Sequence, residues 1–302
     1  MISSEKFDVV VPRLASLLDR VEALLPIVPA VPDFGTMIAF RWRKTYGRGH
    51  LYPVCGLHAL PLSDLLGIDD QKSALDRNTR QFVHGLPANN ALLWGARGTG
   101  KSSLIKALLT TYGSMGLRLV EVDKHDLVDL PDIMAALEGR KERFILYCDD
   151  LSFSADELGY QALKAMLDGS VAAPPENMVI YATSNRRHLL PEYLSENREA
   201  RMVDGEIHQS DAVEEKISLS ERFGLWLSFY PFRQEQYLEI VNHWLIQLGV
   251  GRIDDEVIDA EEVRDAALRW ALAHGSRSGR SAWQFARDWV GRQGLARLSG
   301  TT

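Results

Sequence analysis

The chain has 302 residues, of which 46% are hydrophobic and 25% charged, and a formal net charge of −7 at pH 7. That length supports a sizeable core arranged as one large domain with a satellite or as two domains, and the composition excludes fibrous and disordered classes. The acidic balance argues against wholesale coating of nucleic acid, though not against a local basic patch, and Cys55 and Cys148 stand too far apart for a disulfide framework or a zinc site.

In chain order, Val9 to Leu25 has apolar positions at helical spacing, and Pro26, Pro29 and Pro32 end that helix. Charged residues scattered through this start rule out a signal-peptide core, and no stretch has the length of a membrane span, so a cytoplasmic location is expected. Phe34 to Ser63 contains no acidic residue, while Arg41, Trp42, Arg43, Lys44, Tyr46, Arg48, His50 and Tyr52 crowd together. Basic residues interleaved with aromatics suit single-stranded nucleic acid; a small β-ribbon packed on its own domain, or a surface for an acidic partner, is the favoured account.

Five strands are expected at Ala91–Trp94, Leu117–Val122, Phe144–Cys148, Val179–Ala182 and Trp226–Phe229, separated by helical spacers as right-handed βαβ crossovers require. Glu196 to Glu215 is too polar for core and too long for a plain connection. After Pro231 the pattern is helical: Gln234 to Leu248, Ala260 to His274 with a capping-box-like Asp259 and Glu262, and Ser281 to Leu298.

The chemistry lies at the ends of these strands. Gly95-Ala96-Arg97-Gly98-Thr99-Gly100-Lys101-Ser102 fits G-x-x-x-x-G-K-[ST] between a strand and a helix that begins with Ser103. Glycines let backbone N–H groups turn inward around phosphate oxygens, and the helix start adds free N–H groups and a positive dipole end. A nucleoside triphosphate would be held there, with Lys101 on its β- and γ-phosphates and Ser102 on Mg²⁺. Phe144 to Cys148 then delivers Asp149, for Mg²⁺, and Asp150, to orient or deprotonate water.

These residues resemble the AAA+ class. There the run Met178 to Asn185 corresponds to the sensor 1 strand, making Asn185 the polar group between phosphate loop and acids. Ser218 to Gly224 resembles the element that carries an arginine finger, here Arg222, with Arg186, Arg187, Arg198 and Arg201 next in line. Gly275 to Ala282 resembles sensor 2, with Arg280 preferred to Arg277, and Leu65 to Lys72 resembles the segment that packs on adenine, through Ile68. Most AAA+ ATPases place Glu where Asp150 stands, one methylene longer. Asn78 to Lys106, Cys148 to Phe153, Thr183 to Leu189 and Glu214 to Phe232 are similar to a bacterial AAA+ family known as domain of unknown function 815. The likeness covers about residues 40 to 290, and in that family the Asp-Asp pair is the usual form.

The resemblance implies an α/β AAA+ P-loop fold: a five-stranded parallel sheet flanked by helices, a small helical C-terminal lid and an N-terminal extension. The expected division is 1–62 for the extension, 63–232 for the nucleotide-binding core and 233–302 for the lid. It further implies ATP and Mg²⁺ as cofactors, a homo-oligomer, and an unidentified protein or nucleic-acid partner without a membrane. Asp123 to Ile133 lacks the aromatic–apolar–Gly signature of protein-threading loops, which speaks against an unfoldase.

Overall fold

Strands covered on both faces are buried along their length, and three segments of this chain are: Leu117–Glu121 (β4), Arg143–Cys148 (β5) and Met178–Ser184 (β6), all but their end residues buried. The computed structural model describes residues 32–45, 47–57, 60–153, 157–168, 175–187, 189, 201–203, 206–208, 219–249 and 260–300, together with 13, 14, 16 and 17. The helix expected over Val9–Leu25 lies outside the described residues apart from those four positions, as do Asp259, Arg198 and most of Glu196–Glu215.

With Ala39–Thr45 (β1), Arg48–Pro53 (β2), Ala91–Gly95 (β3) and Leu225–Phe229 (β9), these strands form one seven-stranded sheet in the order β2-β1-β4-β5-β6-β3-β9. All pairings from β1 to β9 are parallel, and only the β1–β2 hairpin is antiparallel. A separate two-stranded ladder joins Arg201–Val203 (β7) to Glu206–His208 (β8). Among the described residues, the longer helices between strands are Asp69–Val83 (α1), Lys101–Tyr112 (α2), Leu130–Leu137 (α3) and Leu158–Asp168 (α4); Gln234–Gln247 (α5), Ala260–Ala273 (α6) and Gly279–Gly300 (α7) follow the last strand.

Alternation along each strand supplies two apolar layers. Leu93, Ile145 and Tyr181 face α1 and α2 in a layer that runs on to Tyr237, Trp244 and Phe285 of the C-terminal helices. Leu92, Leu146 and Ile180 face α3 and α4 in the other. Leu93 is fully buried, so Leu93→Ala would cost about 2–5 kcal/mol through lost transfer energy and the cavity left behind.

The sheet has seven strands, not the expected five. The two additions come from the basic and aromatic stretch, whose alternation matters more than its charge. Phe40, Trp42 and Leu51 point into the α3/α4 layer, while Arg41 and Arg43 stand opposite Tyr52 and His50 on the other face. Trp42 Nε1 donates to Asp129 at 3.0 Å, Lys44 pairs with the same carboxylate at 2.8 Å, and Arg41 Nε donates to Glu121 at 2.7 Å. Trp42 crosses β2 at Gly49, where a Cβ would sit 1.9 Å from its ring. The hairpin therefore extends the sheet beyond β4, and the three C-terminal helices share the core layer of α1 and α2.

Candidate functional site

In a parallel sheet, polar residues just past the carboxyl ends of adjacent strands meet at one edge. Here β6 lies between β5 and β3, so the residues after Cys148, Ser184 and Trp94 converge.

The loop from β3 to α2 is shaped by glycines. Gly95 has φ 130° and a Cβ there would overlap the Phe229 carbonyl oxygen at 2.0 Å, because Ala96 N donates to that same oxygen at 2.9 Å. Gly100 (φ 99°) opens α2 in the left-handed region, with no side-chain cap on the first turn, which leaves its N–H groups turned to the cleft. Thr99 is buried and donates to the Ala96 carbonyl at 2.8 Å.

Lys101 is 7% exposed. Its Nζ donates to the carbonyls of Gly95 (2.8 Å) and Ala96 (2.7 Å) and to Asn185 Oδ1 (3.2 Å). Burial pulls the ammonium down to about 8, against the upward pull of Asp150 and Asp149. Ser102 Oγ donates to Asp149 Oδ1 at 2.8 Å. Burial by itself would raise the Asp149 carboxyl; the hydroxyls of Thr183, Tyr147 and Ser102, with Lys106, outweigh it and hold the group below its ordinary range. Asp149 is thus ionised at neutral pH.

Thr183 escaped the sequence reading. Its hydroxyl donates to Asp149 at 2.5 Å and accepts from Asp150 N at 2.9 Å, so one side chain sets the orientation of both acids. The signal was present in the Thr-Ser-Asn run, whose first residue is the penultimate one of the strand. Asp150 follows at φ 50°, the only non-glycine residue with positive φ among those described. Its carboxylate accepts from Asn185 Nδ2, whose amide therefore spans Lys101 and Asp150.

These groups line a cleft of about 610 Å³ together with Arg97, Gly98, Gly100, Ser103 and Arg280. Gly98 is where the start of α7 meets the loop: a Cβ would meet Ser278 Oγ at 2.8 Å, and Arg280 N donates to its carbonyl at 3.3 Å. Ser278 caps α7, its hydroxyl accepting from Ser281 N at 3.1 Å. Arg280 thereby enters the cleft from the first turn of α7, and Arg277 contacts the core through its carbonyl, which accepts from Phe232 N at 3.2 Å. The far end of the cleft is apolar. Ile68 is buried and its Cδ1 lies 3.4 Å from where a Gly100 Cβ would be. Facing it are Ile240, Trp244 and Trp283, the two indoles T-shaped at 4.7 Å. Trp244 and Trp283 too were missed, because at helical spacing they read as core.

Arg222 is not among the lining residues; it pairs with Asp168 at the end of α4. Among the described residues no group of three or more His, Cys, Asp and Glu side chains gathers for a metal ion. The hydroxyl of Ser102 and the carboxylate of Asp149 are a sparse oxygen set of the sort that suits Mg²⁺, which keeps most of its water. Among the described residues no helix is long and apolar enough to cross a membrane.

The strand that carries the phosphate loop, β3, lies between β6 and the last strand, β9. Among solved structures, a mutant of Thermotoga maritima RuvB aligns at TM-score 0.49 and 17% identity over 76% of this chain and 64% of that one. This chain thus spans less than two thirds of that protein. RuvB from the same organism, titled a Holliday junction branch migration motor, aligns at TM-score 0.43 and 16% identity over 76% and 72%. No curated protein matches the sequence. The model of one family, described as protein of unknown function (DUF815), matches residues 35–293, and this chain belongs to that family.

Proposed function

We propose that the chain hydrolyses ATP to ADP and phosphate with Mg²⁺ and uses the resulting movement of its lid against its core to remodel or load a partner, protein or nucleic acid. In this reading 63–232 is the nucleotide-binding core, 233–302 the lid, and the protein works as a cytoplasmic homo-oligomer. One observation carries it: the Lys101 ammonium, the Ser102–Asp149 pair and the Asn185–Asp150 pair meet at the ends of three adjacent strands.

The N–H groups of Gly98 to Ser103 and the Lys101 ammonium hold the β- and γ-phosphates, and the apolar end of the cleft takes the base beside Ile68. Ser102 and Asp149 would hold Mg²⁺, which neutralises charge on the β- and γ-oxygens. Asn185 and Asp150 orient a water in line with the bridging oxygen; its oxygen bonds to the γ-phosphorus as the β–γ bridge breaks, and its proton passes toward Asp150. Arg280 adds positive charge from the lid. Arg222 serves a neighbouring subunit's γ-phosphate, and Asp168 holds it until that neighbour arrives.

A slow ATP-binding switch is the second reading, favoured by the short side chain of Asp150 and its engagement with Asn185. Turnover of purified protein with and without DNA, RNA or lysate separates the two. Stimulation supports remodelling; tight ATP retention without turnover supports the switch. Capture on Asp150→Asn protein with ATP is expected to hold the partner.

A further inference from the structure

Asn185 has to be held as well as present, since it stands just past the end of β6 with only its own amide reaching Lys101 and Asp150. Two devices grip the chain around it. Ser184 Oγ donates to the Leu151 carbonyl at 2.7 Å and accepts from Arg186 N at 3.1 Å, which ties the start of the loop to the segment after Asp150. Two residues beyond Asn185, the Arg187 guanidinium lies 5.7 Å from the Trp94 ring centroid and 5.8 Å from that of Trp226. The two indoles are themselves 6.0 Å apart, so one cation meets two rings on neighbouring strands. Trp94 immediately precedes Gly95, whose carbonyl accepts from Lys101.

We infer that Arg187 is a positioning residue for the hydrolytic step: by stacking on Trp94 and Trp226 it pins the loop that carries Asn185 to the strand that carries the phosphate loop. The inference rests on the ATPase reading. It gives Arg187 a task within its own subunit, distinct from the arginine that a neighbour supplies. A ring face attracts a guanidinium and an ammonium but not a neutral amide, so the charge of residue 187 and the rings beneath it act as a unit. When the unit is broken, the amide of Asn185 wanders from the line between Lys101 and Asp150. Binding of ATP, set by the phosphate loop and the apolar pocket, is untouched.

The test is steady-state ATP hydrolysis by the full chain with Arg187→Ala, Arg187→Lys, Arg187→Gln, Trp94→Leu and the Arg187→Ala/Trp94→Leu double variant, beside the parent and Asp150→Asn. Loss of the two cation–π contacts is expected to lower kcat about 5- to 20-fold with KM for ATP unchanged. Arg187→Lys is expected to recover most of kcat and Arg187→Gln none of it. The double variant should lose no more than Arg187→Ala alone, since the second change removes a ring whose cation has already gone. Unchanged kcat in Arg187→Ala, a rise in KM with kcat intact, or additive losses in the double variant would each overturn the inference. If the parent turns over, Asp150→Asn is silent and Arg187→Ala is indistinguishable from the parent, the ATPase reading stands and this one falls; a parent without turnover removes both.

Discussion

The two ends of the cleft are built by different means. The phosphate end is assembled from residues that immediately follow three neighbouring strands, and each of them is held by hydrogen bonds: Lys101 on two loop carbonyls, Asp149 by Ser102 and Thr183, Asp150 by Asn185. The other, apolar end, to which the proposed function assigns the base, brings Ile68, ahead of the phosphate loop, against Ile240, Trp244 and Trp283 of α5 and α7, and is held by apolar contact. Polar groups in fixed geometry discriminate charge states along a reaction path, whereas an apolar slot contributes affinity in both ground and transition state. On the proposed function, the first end both holds the phosphates and sets turnover, whereas the second contributes affinity alone.

The largest test of that division comes from outside the cleft. Arg222→Ala is expected to bind ATP normally and hydrolyse it on the order of 10³-fold more slowly, as loss of an arginine finger does. Mixing it with Asp150→Asn should restore activity at junctions that pair one intact acid with one intact arginine, and parent activity should rise with protein concentration. Activity independent of concentration, or no recovery in the mixture, would place all the chemistry within one chain. Relieving the pair with Asp168→Asn should lower the protein concentration at which activity reaches half its maximum.

Within the phosphate end, Asp150→Asn should leave ATP bound and reduce turnover by about 10²-fold or more. Lys101→Ala should weaken ATP binding on the order of 10²-fold through loss of charge-assisted hydrogen bonds, measured by calorimetry, with an unchanged far-ultraviolet spectrum. Because burial holds Lys101 at about 8 instead of 10.5, the unfolded chain binds the extra proton between those values. The Lys101 contribution to stability consequently rises with pH across that window, while ATP affinity falls above about 8, where the ammonium is lost. Calorimetry in buffers of differing ionisation enthalpy should register proton uptake on ATP binding above that pH; its absence would mean that Lys101 stays fully charged.

At the base end, Trp283→Ala should weaken ATP binding about 10-fold, the worth of one aromatic contact face, and leave kcat at saturating ATP close to that of the parent. Inorganic tripolyphosphate sharpens the contrast. Its binding should survive Trp283→Ala and be lost in Lys101→Ala; equal losses of ATP and tripolyphosphate in the Trp283 variant would show that the two ends are not separable. The smallest effect is expected for Asp150→Glu. The longer arm should raise kcat if reach limits the rate, but Glu tolerates the left-handed backbone at this position less well than Asp. A cost of about 1 kcal/mol would lower Tm by about 2–4 °C.

The same contrast separates what could be read in the residues from what could not. Gly95 to Ser102, the Asp149–Asp150 pair and Asn185 were legible because each requires a particular residue type just after an apolar run, and local chemistry enforces both features. Thr183 was not, since an inward hydroxyl on a strand has the same spelling as an ordinary β-branched residue until β5 and β6 are placed in register. The hairpin was legible only as a ribbon packed on its own domain; that it joins the main sheet as two more strands beside β4 depends on the burial of Phe40, Trp42 and Leu51. The apolar wall of Trp244 and Trp283 depends on how the lid packs, and helical spacing alone cannot tell a core position from a cleft position.

From its residues alone, then, this chain determined five of the sheet's seven strands, the phosphate loop and the order of polar strand ends, because backbone sterics, alternation and turn chemistry act over a few residues. The tertiary structure decided which side chains share a space: Arg187 with Trp94 and Trp226, Thr183 with both acids, Arg222 with Asp168, the lid indoles with Ile68. Those meetings join residues between about 30 and 220 positions apart, and they are selected by close packing of complementary surfaces, which no short stretch of sequence contains.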